Sequence, residues 1–167
     1  DGVRIQLPAL AKKNVLKIDA DFLYTNTGEG LHRFVDPVDS EVYLYSQFEV
    51  PDSRRVFPVF EQPDLKAEFE FTVKAPAHWE VISNQPEVSQ DSLEGSKTWK
   101  FKPTPRISSY ITALIAGPYE KVTSSLTNSE GRDIALGIFA RKSLMEYLDS
   151  EEIFTITRQG FEFYEEQ

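Results

Sequence analysis

The sequence predicts an all-β fold, a saddle-like β-sandwich of mostly antiparallel strands with a single helix at its C-terminal end. Three observations predict it. Apolar and polar residues alternate at period two in short runs, clearest at residues 15–24, 42–50 and 69–74. Turn signals containing proline or glycine separate these runs. The period then changes to helical spacing after Asp149. A chain of 167 residues is long enough for one domain that buries roughly 70% of its unfolded surface. Its 40% hydrophobic and 13% aromatic content can fill a core of that size.

In chain order, residues 3–7 read as a short strand ended by Pro8. Residues 15–24 are a clearer strand, in which Leu16, Ile18, Ala20 and Phe22 alternate with Lys17, Asp19 and Asp21. Residues 26–30 form a polar turn. Gly28 and Gly30 do not make a phosphate loop, because no helix follows and no third glycine is spaced for one. In residues 42–50, Tyr43, Tyr45, Gln47 and Glu49 point one way, and Val42, Leu44, Ser46, Phe48 and Val50 the other. The second face is apolar except at Ser46 and is assigned to the core. The first is assigned to a surface or a cleft wall. Pro51 and Asp52 stop this strand, and Arg54 and Arg55 are expected to anchor the following turn to nearby carboxylates or backbone carbonyls.

The pattern beyond stays β. Residues 69–74 form a strand ended by Ala75 and Pro76, with residues 79–83 as its expected partner. Residues 84–95 read as a polar connection. Residues 98–102 set Trp99 and Phe101 against lysines, and Pro103 and Pro105 break the run. Residues 110–116 are nearly all apolar, as in a strand covered on both faces. Residues 119–125 and 132–141 are two strands around a turn at 127–131, with Ile134, Leu136, Ile138 and Ala140 on one face. Residues 143–148 make one or two helical turns. Asp149 then caps a helix with Glu152 three residues on. Ile153, Ile156, Thr157, Gly160, Phe161 and Tyr164 recur along about four turns, on a face without an evident partner in the sequence.

Composition excludes several classes. A net charge of −9 opposes nucleic-acid binding, which needs a basic footprint. The acidity mainly favours solubility and weakly favours cationic ligands. There are no cysteines, so neither disulfides nor thiolate metal sites are available. No apolar run approaches the ~20 residues that span a bilayer, and no membrane partner is expected. No leader is legible, although a chain starting at Asp1 is compatible with earlier removal of one. The expected compartment is the cytoplasm.

Few constellations carry chemistry. A zinc peptidase needs about three protein ligands, but the only histidines, His32 and His78, lie far apart in turn-like settings and read as structural. No feature places a nucleophile near either for a Ser-His-Asp triad. Glu68 and Glu70 read as a solvated strand face. Gln47 and Glu49, two residues apart on a strand, face the same way at roughly 6.6–7 Å. From the residues alone the simpler reading of that pair is an exposed polar face.

The run YSQFE at 45–49, the pair Arg54-Arg55 and the run FEQPDLKAEFEFTV at 60–73 occur in order. So do TGEGLHRFVDP at 27–37 before them and the segment 75–84 after them. Together they resemble the N-terminal β domain of aminopeptidase N family zinc metallopeptidases, and the resemblance covers most of the chain. It implies that residues 1–141 are that domain without its first strands, and that residues 142–167 are the first helix of a truncated catalytic domain. It also implies that Gln47 and Glu49 bind substrate. A fixed carboxylate recognises the free α-ammonium of a peptide by a charge-assisted hydrogen bond, and the neighbouring amide lines the pocket for the first side chain.

In the full-length parent the resemblance implies zinc, which polarises the first peptide carbonyl and activates a water, with a glutamate as general base. The H-E-x-x-H motif, the downstream zinc glutamate and the G-x-M-E-N loop are not in this sequence. No catalytic or metal-binding residue is therefore assigned, and no zinc is expected on this segment. The expected function is that of a non-catalytic fragment of a zinc-dependent aminopeptidase. The alternative is a freestanding β-sandwich interaction module; a small hydrolase in its own right lacks both nucleophile and metal ligands. Expected partners are peptide N-termini, the remainder of the catalytic domain, and further copies of the chain through exposed sheet edges.

Overall fold

The computed structural model describes residues 4–167. Its strands fall into two sheets and a hairpin, all antiparallel. A four-stranded sheet runs in the order β1 (Gly30–Val35), β2 (Val42–Gln47), β7 (Leu114–Gly117) and β4 (Glu80–Ser83). A three-stranded sheet runs β3 (Thr72–Pro76), β6 (Ser96–Phe101) and β5 (Glu87–Leu93). β8 (Glu120–Thr127) and β9 (Asp133–Ala140) form the hairpin. A 3₁₀ segment, Lys142–Tyr147, leads into helix α1 (Ser150–Glu165).

The two sheets bury their inner faces against each other. Leu44, Val81 and Ala116 of the larger sheet meet Trp99 and Phe101 of β6, with Leu31, Val73 and Ala75 at the margins. Trp99, at 1% exposure, is the largest side chain of this core. The fold is thus a β-sandwich with a C-terminal helix, as the sequence predicts. β7 is apolar throughout and lies between β2 and β4, one of the two interior positions of its sheet. The capping reading also holds, because the Asp149 carboxylate accepts the Glu152 N–H at 3.0 Å.

Several expectations are corrected. Residues 4–24 form no strand, although Leu16, Ile18, Ala20 and Phe22 do share one side and line an open cleft with Val59 and Phe60. Alternation specifies a face, whereas a strand also needs a hydrogen-bonded neighbour strand, and no strand pairs with this segment among the described residues. Residue 3, the start of the first expected strand, lies outside the described residues. Residues 80–83 pair with β7 and not with β3, whose partner is β6. The connection expected at 84–95 contains β5, exposed along its whole length, so it carries no apolar alternation to be read.

Candidate substrate-recognition site

The site is built on the end of β2. Leu44 points into the core, and so does Phe48 just beyond the strand. Ser46, the polar member of that face, is satisfied because its Oγ accepts the Leu114 N–H at 2.8 Å where β7 stops pairing with β2. On the opposite face Tyr43 is buried, against the expectation of an open polar face. The edge of its ring meets Tyr119 at 4.9 Å between centroids, and its hydroxyl donates to Asp39 at 2.7 Å. Gly117 makes this possible, since a Cβ there would sit 3.1 Å from the Tyr43 ring and 3.2 Å from Tyr119. The face opens only past Tyr43.

Tyr45 is exposed and packs on the ring of His32, its cross-strand partner, at 4.8 Å. Gln47 follows, exposed and opposite Gly30. Glu49 is exposed too but lies off the strand, because β2 ends at Gln47. Two bonds turn the chain there. Gln47 Oε1 accepts the Glu49 N–H at 2.6 Å, and the Asp52 N–H donates to the Phe48 carbonyl at 3.0 Å. The spacing expected for two residues on one extended strand therefore does not apply to the pair. Val50, assigned to the core face, is also turned out, at 47% exposure.

The Gln47 side-chain carbonyl accepts this bond, and its NH₂ group makes no hydrogen bond among the described residues. The Glu49 carboxylate makes no salt bridge among the described residues. An exposed carboxylate without an ion pair can accept charge-assisted hydrogen bonds from a cationic donor.

The two arginines divide their work. Arg55 Nε donates to Asp52 at 2.5 Å, and its guanidinium reaches Glu29 at 3.2 Å, the anchoring the sequence predicts. Arg54 is held through its backbone, whose N–H donates to Glu61 Oε2 at 2.8 Å. Glu61 Oε1 takes the Ser53 and Ser109 hydroxyls at 2.6 and 3.0 Å, tying the 53–61 loop to residues 109–111. No hydrogen bond links these buried hydroxyls to a histidine among the described residues. Sequence reasoning missed the His32–Tyr45 contact and did not identify Glu29 and Asp52 as the carboxylates that Arg55 joins. Both depend on strand register and turn geometry.

The described residues do not fit a zinc centre. His32 Nδ1 is engaged as acceptor of the Gly28 N–H at 2.9 Å, and His78 lies in the turn between β3 and β4, against Trp79. No group of three or more His, Asp or Glu side chains converges among the described residues. No helix among them is long and apolar enough to cross a membrane.

Residues 2–111 match the Peptidase M1 N-terminal domain family. The chain belongs to that family. Aminopeptidase N of Streptomyces lividans is 58% identical over 165 residues, which is 98% of this chain. Aminopeptidase N of Acetobacter pasteurianus is 34% identical over 71% of it, and probable aminopeptidase 1 of Saccharolobus solfataricus 29% over 79%. This M1 N-terminal domain chain spans 19%, 35% and 16% of those relatives' own lengths.

Proposed function

We propose that this chain is the substrate-recognising N-terminal part of a zinc-dependent aminopeptidase, and that Gln47 and Glu49 hold the free α-amino group of the peptide. The observation that carries the reading is the exposed Glu49 carboxylate, in no ion pair among the described residues, with a Gln47 amide held by the Glu49 backbone N–H. The substrate ammonium donates to the carboxylate in a charge-assisted hydrogen bond, about twice as strong as a neutral one. The Gln47 NH₂ donates to a polar atom near the first residue. The net charge of −9 favours approach of a cationic terminus.

The chain's own residues bind and orient; no group of them fits the metal among the described residues, and the bond-breaking step lies with the remainder of the enzyme. Residues 142–167, which include α1, are the proposed beginning of that catalytic part.

The test is Glu49→Gln in the aminopeptidase that carries this segment. It removes the charge and keeps the shape. The expected loss in kcat/KM is about 2–5 kcal/mol of transition-state binding, while stability of the isolated chain changes by less than about 0.5 kcal/mol. Unchanged kinetics in a folded variant would refute the recognition role. For the isolated chain, metal analysis is expected to find no stoichiometric zinc and an aminoacyl-anilide assay no turnover. Tightly bound zinc, or turnover that persists on repurification, overturns the assignment of the chemistry to the remainder of the enzyme.

A further inference from the structure

We propose that Arg55 is a positioning residue for the recognition pair: through Asp52 and Glu29 it fixes the turn that carries Glu49 against the start of β1, opposite Gln47. The inference rests on the reading of Gln47 and Glu49 given above.

The turn at 48–52 has three points of support. At its entry Phe48 is 2% exposed and packs edge-on against Phe57 at 5.8 Å. Across its middle the Asp52 N–H closes onto the Phe48 carbonyl. At its exit the Asp52 side chain, 12% exposed, takes Arg55 Nε at 2.5 Å. The other end of the Arg55 guanidinium reaches Glu29, in the turn just before β1. That turn is closed in its own right by a Thr25 hydroxyl bond to the Glu29 carbonyl. One planar cation therefore spans the turn carrying Glu49 and the turn that begins β1.

Gly30 completes the argument. It stands opposite Gln47 in the ladder, and a Cβ at this position would lie 3.2 Å from the Cβ and Cδ of Arg55. The Arg55 stem thus packs on the backbone that pairs with Gln47. Both members of the recognition pair are referenced to one side chain, Gln47 through Gly30 and Glu49 through Asp52. The Arg55 charge is committed to Asp52 and Glu29, and Glu49 shares no ion pair with it.

Magnitudes separate positioning from bulk stabilisation. Arg55 and Glu29 are 48% and 50% exposed, and exposed ion pairs add little to stability. A planar guanidinium that hydrogen-bonds one carboxylate through Nε and ion-pairs a second through its outer nitrogen adds geometric definition, which lysine, a point charge, does not reproduce. Removing Arg55 is therefore expected to loosen Glu49 more than it weakens the sandwich.

The experiment has two arms. In the isolated chain, ¹⁵N relaxation is measured at Glu49 and at β6 for wild type and Arg55→Ala. The Glu49 amide is expected to be as rigid as β2 in wild type and to become loop-like in the variant, with β6 unchanged. In the longer aminopeptidase, Arg55→Ala is expected to lower kcat/KM about 10- to 100-fold, mostly through KM, because small misplacements of a binding group cost that much. Arg55→Lys should recover part of the loss. Arg55→Ala/Glu49→Gln should be no worse than Glu49→Gln alone.

Additive losses, or an unmoved Glu49 amide in Arg55→Ala, would overturn the proposal. If Glu49→Gln alone leaves kinetics unchanged, the recognition reading fails, while the relaxation arm still decides whether Arg55 holds the turn. Should Arg55→Ala not fold, Asp52→Asn and Glu29→Gln each release one end of the brace, and rigid Glu49 amides in both count against it.

Discussion

Asp36 and Tyr43 lie where the sandwich meets the segment leading to α1. Asp36 has a side chain only 2% exposed. Its carboxylate accepts the Ser143 hydroxyl at 2.5 Å, the Val38 N–H at 2.9 Å and Arg141 at 2.9 Å. These bonds, that from Ser143 foremost, hold its carboxyl below the ordinary 3.8. A lowered folded-state value means stability that is present above pH 3.8 and lost as pH falls from there through the folded value. Asp36→Asn is expected to lower the urea midpoint at pH 7 and to narrow the gap between pH 7 and pH 3. An equal gap in variant and wild type would contradict the assignment. Tyr43 acts at the other end of the scale: burial, then its bond to Asp39, pushes the phenol up to about 12. A raised value means stability fully present below the ordinary 10 and lost as pH rises through 12. Tyr43→Phe should remove that alkaline loss, followed by tyrosinate absorbance together with circular dichroism between pH 9 and 12.

Elements were legible where the apolar residues of one face fill the core, although in β2 Tyr43 of the other face is buried as well. The alternation in β2 and β6 reflects Leu44, Trp99 and Phe101 pointing into one core, and the change of period before α1 reflects a real cap. β5 was not legible because an edge strand wet on both faces needs no apolar residue, and residues 4–24 misled because alternation arises without a ladder. The site divides the same way. Exposure of Gln47 follows from alternation, but the turn that displaces Glu49 from the strand is made by the Gln47 side chain accepting the backbone N–H two residues on, a competition that period cannot show. Likewise Arg55 shows as a turn anchor in sequence, whereas Glu29 and Gly30 join it only once β1 and β2 are in register. Two variants calibrate these elements by urea unfolding. Trp99→Ala, emptying the centre of the core, is expected to cost about 3–5 kcal/mol. Asp149→Ala, losing only the cap, should cost about 1 kcal/mol. A cap cost as large as the core cost would show that α1 is integral to the sandwich and not a lightly attached extension.

At the scale of the whole molecule, apolar surface and open backbone compete with net charge. Val15, Leu23 and Leu16 stand 99%, 88% and 57% exposed in the segment without ladder partners. On α1, Phe154 is buried and Arg158 reaches the Ser124 hydroxyl of β8 at 2.5 Å. Ile153, Ile156, Phe163 and Tyr164 remain 43–78% exposed. Among the described residues the outer edge of β1 is paired only near Thr25, which leaves backbone donors and acceptors of a kind that other chains can pair with. Opposing association is the charge of −9, whose repulsion acts over about 10 Å at 0.1 M salt and about 3 Å at 1 M. Burial of apolar surface is not screened by salt in this way. The isolated chain is therefore expected to be near its 19.1 kDa monomer mass when dilute in low salt, and to gain mass with both protein concentration and salt. Light scattering over a concentration series at the two salt levels decides it. A monomer throughout, with the β1 edge amides protected from hydrogen exchange, would mean that the chain covers these surfaces itself.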